Sequence, residues 1–225
     1  MTFKERITHL VLKYLAVPRT PVYEEGKIHI GCLGDSITFG AGVNGKKEET
    51  WEYYLNKLLG EDHQVLNYGI SGRTLQREGD YPYTADKFYG ISKKNRIETY
   101  LIMLGTNDAK PYNFDEKRYA KQLHDFVMEY KELPSRPEVI LMTVPQVFRN
   151  EEGIVAFDID EGNIEKIQRM IRQEAAVSKI NCIDLYSLTK DKKDWFADGV
   201  HPNKKGNEEI AGHIFHELGV FHSVI

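Results

Sequence analysis

Cysteine is scarce in this chain: two residues in 225, Cys32 and Cys182. Each lies in a short apolar run that reads as a buried strand, where a free thiol packs as a small hydrophobe, so no disulfide framework is expected. Long apolar runs are missing as well. The opening stretch MTFKERITHLVLKYL interrupts its apolar positions with Lys4, Glu5, Arg6, His9 and Lys13, which a secretory leader does not do. Nothing approaches the roughly 20 apolar residues of a membrane span, so a cytoplasmic chain with no membrane partner is expected. Positive charge is not in excess either. Thirty basic residues against 34 acidic ones leave a net charge of −4, which argues against a nucleic-acid surface and for a small neutral or weakly charged substrate. Repeats, low-complexity tracts and Pro- or Ser-rich linkers are absent from the sequence. Its eight histidines form no HExxH motif, and His213 and His216, at helical spacing, have no third ligand nearby. No metal and no cofactor is expected.

What is there is 41% hydrophobic content, enough for one substantial core. Residues 1–26 read as an amphipathic helix and connector, and 27–225 as a single domain. Phe3, Ile7, Leu10, Val11 and Tyr14 fall at helical spacing before Pro18. A helix this short needs burial, either on the flank of its own domain or in a homodimer contact. From Lys27 onward, short apolar runs at 28–33, 65–68, 99–104, 139–143 and 182–185 read as strands. Between them, helical patterns cover 51–59 behind Thr50, 116–133 behind Asp115, 164–179 and 204–218. Near-continuous apolar strands alternating with amphipathic helices imply a parallel sheet covered on both faces, a three-layer α/β/α sandwich. Ligands bind such sheets beyond the carboxyl ends of the strands, so the residues after each strand carry the functional reading.

Immediately after the first strand comes Gly34-Asp35-Ser36. A serine at a strand-to-helix junction presents its hydroxyl at the mouth of the site and its N–H at a helix start; the same position also suits a plain helix cap. Before the last helix comes Asp198-Gly199-Val200-His201-Pro202. An Asp three residues before a His in a tight loop accepts from Nδ1–H and leaves Nε2 facing a serine. After the second strand, Gly72 lets a backbone N–H approach a ligand, and after the third, Asn107 in Gly105-Thr106-Asn107-Asp108 offers a side-chain amide. Either alone would pass as an ordinary turn.

Together and in this order, these four blocks resemble those of the SGNH/GDSL hydrolase superfamily, over about residues 28 to 218. The resemblance implies a flavodoxin-like five-stranded parallel sheet and no metal. It also implies a catalytic triad of Ser36, Asp198 and His201, with an oxyanion hole built from the Ser36 and Gly72 N–H groups and the Asn107 amide. Within the superfamily, 68–75, 103–111 and 144–148 resemble bacterial sialate O-acetylesterase-like and related carbohydrate acetylesterases. That narrower likeness implies a short acyl group on a polar alcohol, and Asp35, Arg73, Lys110 and Gln146 are the expected substrate contacts. Asp80-Tyr81-Pro82-Tyr83 reads either as a stacking wall or as a packed surface loop.

Other readings stay open. Gly40-Ala-Gly42-Val-Asn-Gly45 matches the GxGxxG of dinucleotide-binding folds, but it begins six residues after Gly34, too late for that fingerprint. A non-catalytic binding module on the same fold is a second alternative. A thioesterase or lysophospholipase of the same superfamily is a third, and it would need an apolar acyl channel. The segment 145–162, which mixes Val147, Phe148, Ile154, Val155 and Phe157 with charged residues, reads as groove, lid or surface loop.

Overall fold

The structure is a computed structural model and describes residues 20–43 and 46–223. The helix expected at 3–14, and any dimer contact through it, lie outside the described residues. Five strands form one parallel sheet: β1 (Ile28–Gly34), β2 (His63–Gly69), β3 (Thr99–Met103), β4 (Glu138–Met142) and β5 (Cys182–Ile183). Their order is β2-β1-β3-β4-β5, the flavodoxin-like arrangement expected from the resemblance. Register runs Ile30 to Val65 on one side of β1 and Ile30 to Thr99 on the other, so β1 is central and nearly dry.

The helices are α1 (Ser36–Phe39), α2 (Trp51–Leu59), α3 (Lys87–Ile91), α4 (Glu116–Lys131), α5 (Glu161–Ser178), α6 (Leu185–Leu188) and α7 (Lys204–Ser223). Helix α2 packs on α7, and α4 on α5, giving the two outer layers. The sequence dictates the buried stripes. On α7, Ile210, Ile214 and Leu218 recur every four residues and are buried, while α4 buries Tyr119, Leu123, Phe126, Val127 and Tyr130. Each fully buried aliphatic side chain of this kind stabilises the fold by about 1.5–3 kcal/mol.

Helix starts are equally explicit. Asp35, Thr50, Asp86, Asp115, Asp160 and Asp184 each accept a backbone N–H of the helix they open, α1 to α6 in turn. Asn203 does the same for α7, accepting from Gly206 N at 3.1 Å. Strand β5 ends two residues earlier than its apolar run suggests because Asp184 caps α6 there. Both cysteines are free; Cys32 is buried, whereas Cys182 is only half-buried. Among the described residues, no helix is long and apolar enough to cross a membrane, and no group of three or more His, Cys, Asp or Glu could hold a metal ion.

Candidate active site

The strand order reverses between β1 and β3, and the candidate residues gather at that crevice, beyond the carboxyl ends of the strands. Ser36 opens α1 directly after β1, so its N–H is one of those with no intrahelical acceptor. With only four residues, α1 supplies positioned N–H groups rather than a sizeable dipole. Its C-cap is Gly40, in the left-handed region at φ 88°.

His201 reaches Ser36 from the loop before α7. Its Nε2 lies 2.8 Å from Ser36 Oγ, and its Nδ1 lies 2.7 Å from Asp198 Oδ2. A carboxylate facing Nδ1 fixes the tautomer with the proton there, which leaves Nε2 to accept from the serine hydroxyl. Asp198 is anchored by its other oxygen, which accepts from the backbone N–H of Val200 at 2.9 Å and of His201 at 2.7 Å. Burial alone would raise its carboxyl; the hydrogen bond and charge of His201, with the two backbone bonds, hold it at about 2.

The histidine loop is itself braced. Buried Asn207, on the first turns of α7, donates to Pro202 O at 2.7 Å and accepts from Trp51 N at 3.0 Å, tying that loop to the start of α2. Gly42 presses on it from the other side: a Cβ there would come within 2.2 Å of Pro202 O. The first two glycines of the GxGxxG-like run are therefore accounted for, Gly40 by a helix cap and Gly42 by a close loop contact.

On the far side of Ser36, buried Asn107 directs Nδ2 at Arg73 O (3.2 Å) and, more distantly, at Asp35 Oδ2 (3.5 Å). This brings the carbonyl of Arg73, the residue after Gly72, against the Asn107 amide. Gly72 has φ 80°, a conformation that suits a residue without Cβ. Asp108, to which the sequence reading gave no role, fixes the distance between these loops. Its carboxylate is fully buried and accepts from Leu75 N and Gln76 N, both at 2.8 Å. Burial pushes its carboxyl up to about 6 against those two bonds. One serine hydroxyl beside one oriented imidazole is what nucleophilic attack on a carbonyl needs.

A family profile described as GDSL-like Lipase/Acylhydrolase matches residues 30–214. The chain belongs to this family. Among similar proteins is an acetylxylan esterase of Xylanibacter ruminicola, 29% identical over 210 residues, which are 85% of this chain and 43% of that protein. A multidomain esterase of Ruminococcus flavefaciens is 28% identical over 219 residues, 82% of this chain and 28% of that protein. The GDSL-family chain thus spans less than half the length of both relatives. Its fold is also that of a carbohydrate acetylesterase from Sinorhizobium meliloti, with a TM-score of 0.68 at 18% identity, covering 87% of this chain and 100% of that one.

The four expected substrate contacts of this GDSL-family chain are placed differently from the sequence reading. Asp35 is fully buried and caps α1, accepting from Ile37 N at 2.9 Å; burial pushes its carboxyl up, only partly offset by that bond. Arg73 does not overhang the mouth: it is buried, donating to Ser71 O and to Asp86 Oδ2 at 2.9 and 2.8 Å. Lys110 is buried too, with Nζ 3.5 Å from Asp80. A buried cation needs a partner, and both find a carboxylate within the protein. Gln146 is half-buried after β4, its backbone N–H held by Thr189 Oγ1 at 2.9 Å. In 80–83, Tyr83 is buried and donates to Tyr68 O, so that end of the segment is a packed loop and not a stacking wall.

Instead, exposed side chains at the site come from elsewhere. Phe157 sets its ring 5.1 Å from the His201 ring at 69°, and is 53% exposed. A cavity of about 470 Å³ is lined by Pro111 and Tyr112 and by residues of the 149–161 segment, among them Val155 and Asp158, with neither Phe157 nor any candidate residue in its lining. A larger groove, about 600 Å³, lies at the opposite end of the sheet among Ile28, Phe215, Leu218 and Val220, and contains none of the candidate residues.

Proposed function

We propose that this protein is a serine esterase that removes a short acyl group, acetyl above all, from a carbohydrate or similar polar alcohol. The observation that carries the reading is the relay of Ser36 Oγ, His201 Nε2 and Asp198 at 2.8 and 2.7 Å. Ser36 attacks the ester carbonyl while His201 takes its proton. The resulting oxyanion is met by the N–H groups of Ser36 and Gly72 and by the Asn107 amide. His201 then gives the proton to the departing alcohol, and water, activated by the same imidazole, releases the acid from the acyl-enzyme. Asp198 keeps the imidazole in the required tautomer and stabilises its charged form.

The acetyl and carbohydrate part of the reading is supported by the similarity to an acetylxylan esterase, and its ester-hydrolysing part by the similarity to a multidomain esterase and by the family to which the chain belongs. The test is a 4-nitrophenyl acetate, butyrate and octanoate series with Ser36→Ala as control, together with mass spectrometry after treatment with an organophosphonate. The adduct is expected on Ser36, and kcat/KM is expected to fall along the series. An acyl channel would add up to ~0.8 kcal/mol of binding per methylene, so a rise toward octanoate refutes the acetyl preference in favour of a lipase or thioesterase. An adduct on Ser71 refutes the mechanism.

A further inference from the structure

Residues Phe157 and Asp158 both hold positive φ, 62° and 59°, inside a short turn. Two successive left-handed residues without glycine are uncommon, and for a phenylalanine the conformation is strained. The strain serves no burial: Phe157 is 53% exposed, as are its neighbour Ile154 at 56% and, across the cavity, Tyr112 at 63%. Exposed aromatic side chains grouped at the mouth of a cavity point to a ligand that covers them.

The chemistry says which part of the substrate that is. In the reaction proposed above, on which this inference rests, His201 gives its proton to the departing alcohol, so the alcohol oxygen lies within hydrogen-bond reach of Nε2. Phe157 stands beside that imidazole, and its chain neighbour Asp158 lines the cavity together with Tyr112. At about 470 Å³ the space is in the usual range of small-molecule sites, about 300–1,000 Å³.

Its lining combines apolar and acidic residues. Asp158, Asp160 and Glu161 contribute carboxylates, and the single guanidinium, Arg149, is paired with Glu161 at 2.6 Å. Lys110, the nearest other cation, is paired with Asp80, its Nζ 5.9 Å from the Tyr112 ring centre. A uronate, sialate or phosphorylated sugar would bring its negative charge to carboxylates. A neutral sugar ring offers C–H groups to the aromatic faces and hydroxyl donors to the carboxylate oxygens.

We infer that the cavity between Tyr112 and the 149–161 segment is the alcohol subsite, that it takes a neutral pyranosyl residue of an acetylated oligosaccharide, that Tyr112 is its stacking residue, and that Phe157 flanks it on the His201 side. Specificity for the sugar is thereby set by two exposed rings and not by Arg73 or Lys110.

The test measures KM and kcat of wild type, Tyr112→Ala, Tyr112→Phe and Phe157→Ala on three substrates: 4-nitrophenyl acetate, acetylated xylo-oligosaccharides and acetylated oligogalacturonides. Wild type is expected to turn over the neutral oligosaccharide better than the anionic one. Tyr112→Ala and Phe157→Ala are expected to raise KM for the neutral oligosaccharide about tenfold, the loss of one aromatic contact. Tyr112→Phe should restore it. An unchanged oligosaccharide KM in both alanine variants overturns the subsite, and so does a wild-type preference for the anionic glycan. Turnover of 4-nitrophenyl acetate without either glycan overturns the subsite and leaves the esterase standing; folded protein that hydrolyses none of the three overturns both.

Discussion

Replacing Asp198 by Asn tests the relay at its most informative point, because the change keeps the shape and reverses one hydrogen bond. Three N–H donors converge on this carboxylate: Nδ1 of His201 on one oxygen, and the backbone N–H groups of Val200 and His201 on the other. An asparagine satisfies the two backbone donors with its single oxygen and turns its NH2 toward Nδ1. The imidazole then accepts at Nδ1, and its proton moves to Nε2, which faces Ser36 Oγ at 2.8 Å. A protonated Nε2 does not take the serine proton. The expected loss in kcat is about 10⁴-fold, as in the Ser-His-Asp template, equivalent to about 5.4 kcal/mol of barrier. Asp198→Ala should cost less than Asp198→Asn, since the side chain is 42% exposed and water can take the empty place without imposing a tautomer. Stability should change little. The folded carboxyl lies at about 2, below the ordinary 3.8, so the pair stabilises the fold above about pH 3.8 and loses that contribution as pH falls through 2. With this much exposure the contribution is at most about 1 kcal/mol. Asp198 therefore stays ionised above about pH 4, and any acid limb of kcat/KM above that pH belongs to another group. The assay is 4-nitrophenyl acetate hydrolysis from about pH 4 to 9, with matched circular dichroism spectra. An Asn variant within a few-fold of wild type, or an Ala variant slower than Asn, refutes the tautomer argument.

Asn107→Ala removes a donor aimed at charge that exists only in the transition state, so kcat should fall about 10²- to 10³-fold with KM little changed; a raised KM at constant kcat would reassign Asn107 to ground-state binding. Gly42→Ala places a Cβ 2.2 Å from Pro202 O and 3.0 Å from His201 C, both backbone atoms, so one of the two loops must move. A loss of about 1–3 kcal/mol in thermal unfolding and a fall in kcat are expected, and unchanged values of both would show that the loop contact does not hold His201 in place.

What the sequence disclosed and what it hid divide along one physical line, between local signals and pairings across the chain. Strand runs and helix stripes depend on neighbours within a turn or two, and the observed strands and the four long helices overlap the runs expected for them. Helices α1, α3 and α6, of four or five residues, are too short to show a period. The four blocks at the strand ends were legible for a further reason. In a parallel sheet every strand delivers its carboxyl end to the same edge, so local residue choices there add up in space without knowledge of any long-range contact. Charge gives no such guarantee. Arg73 and Lys110 read as free donors because their partners, Asp86 and Asp80, lie 13 and 30 residues away and are joined to them only by folding. Asn207 is still less visible, since its meaning comes from Trp51 across 156 residues. Phe157 was legible only as part of a mixed segment that reads as groove, lid or surface loop, because a left-handed phenylalanine has no sequence signature: the strain that exposes it is a property of the assembled backbone. Sequence therefore locates the groups that perform general ester chemistry, which sit at strand ends, whereas the groups that choose the alcohol depend on how two distant loops meet.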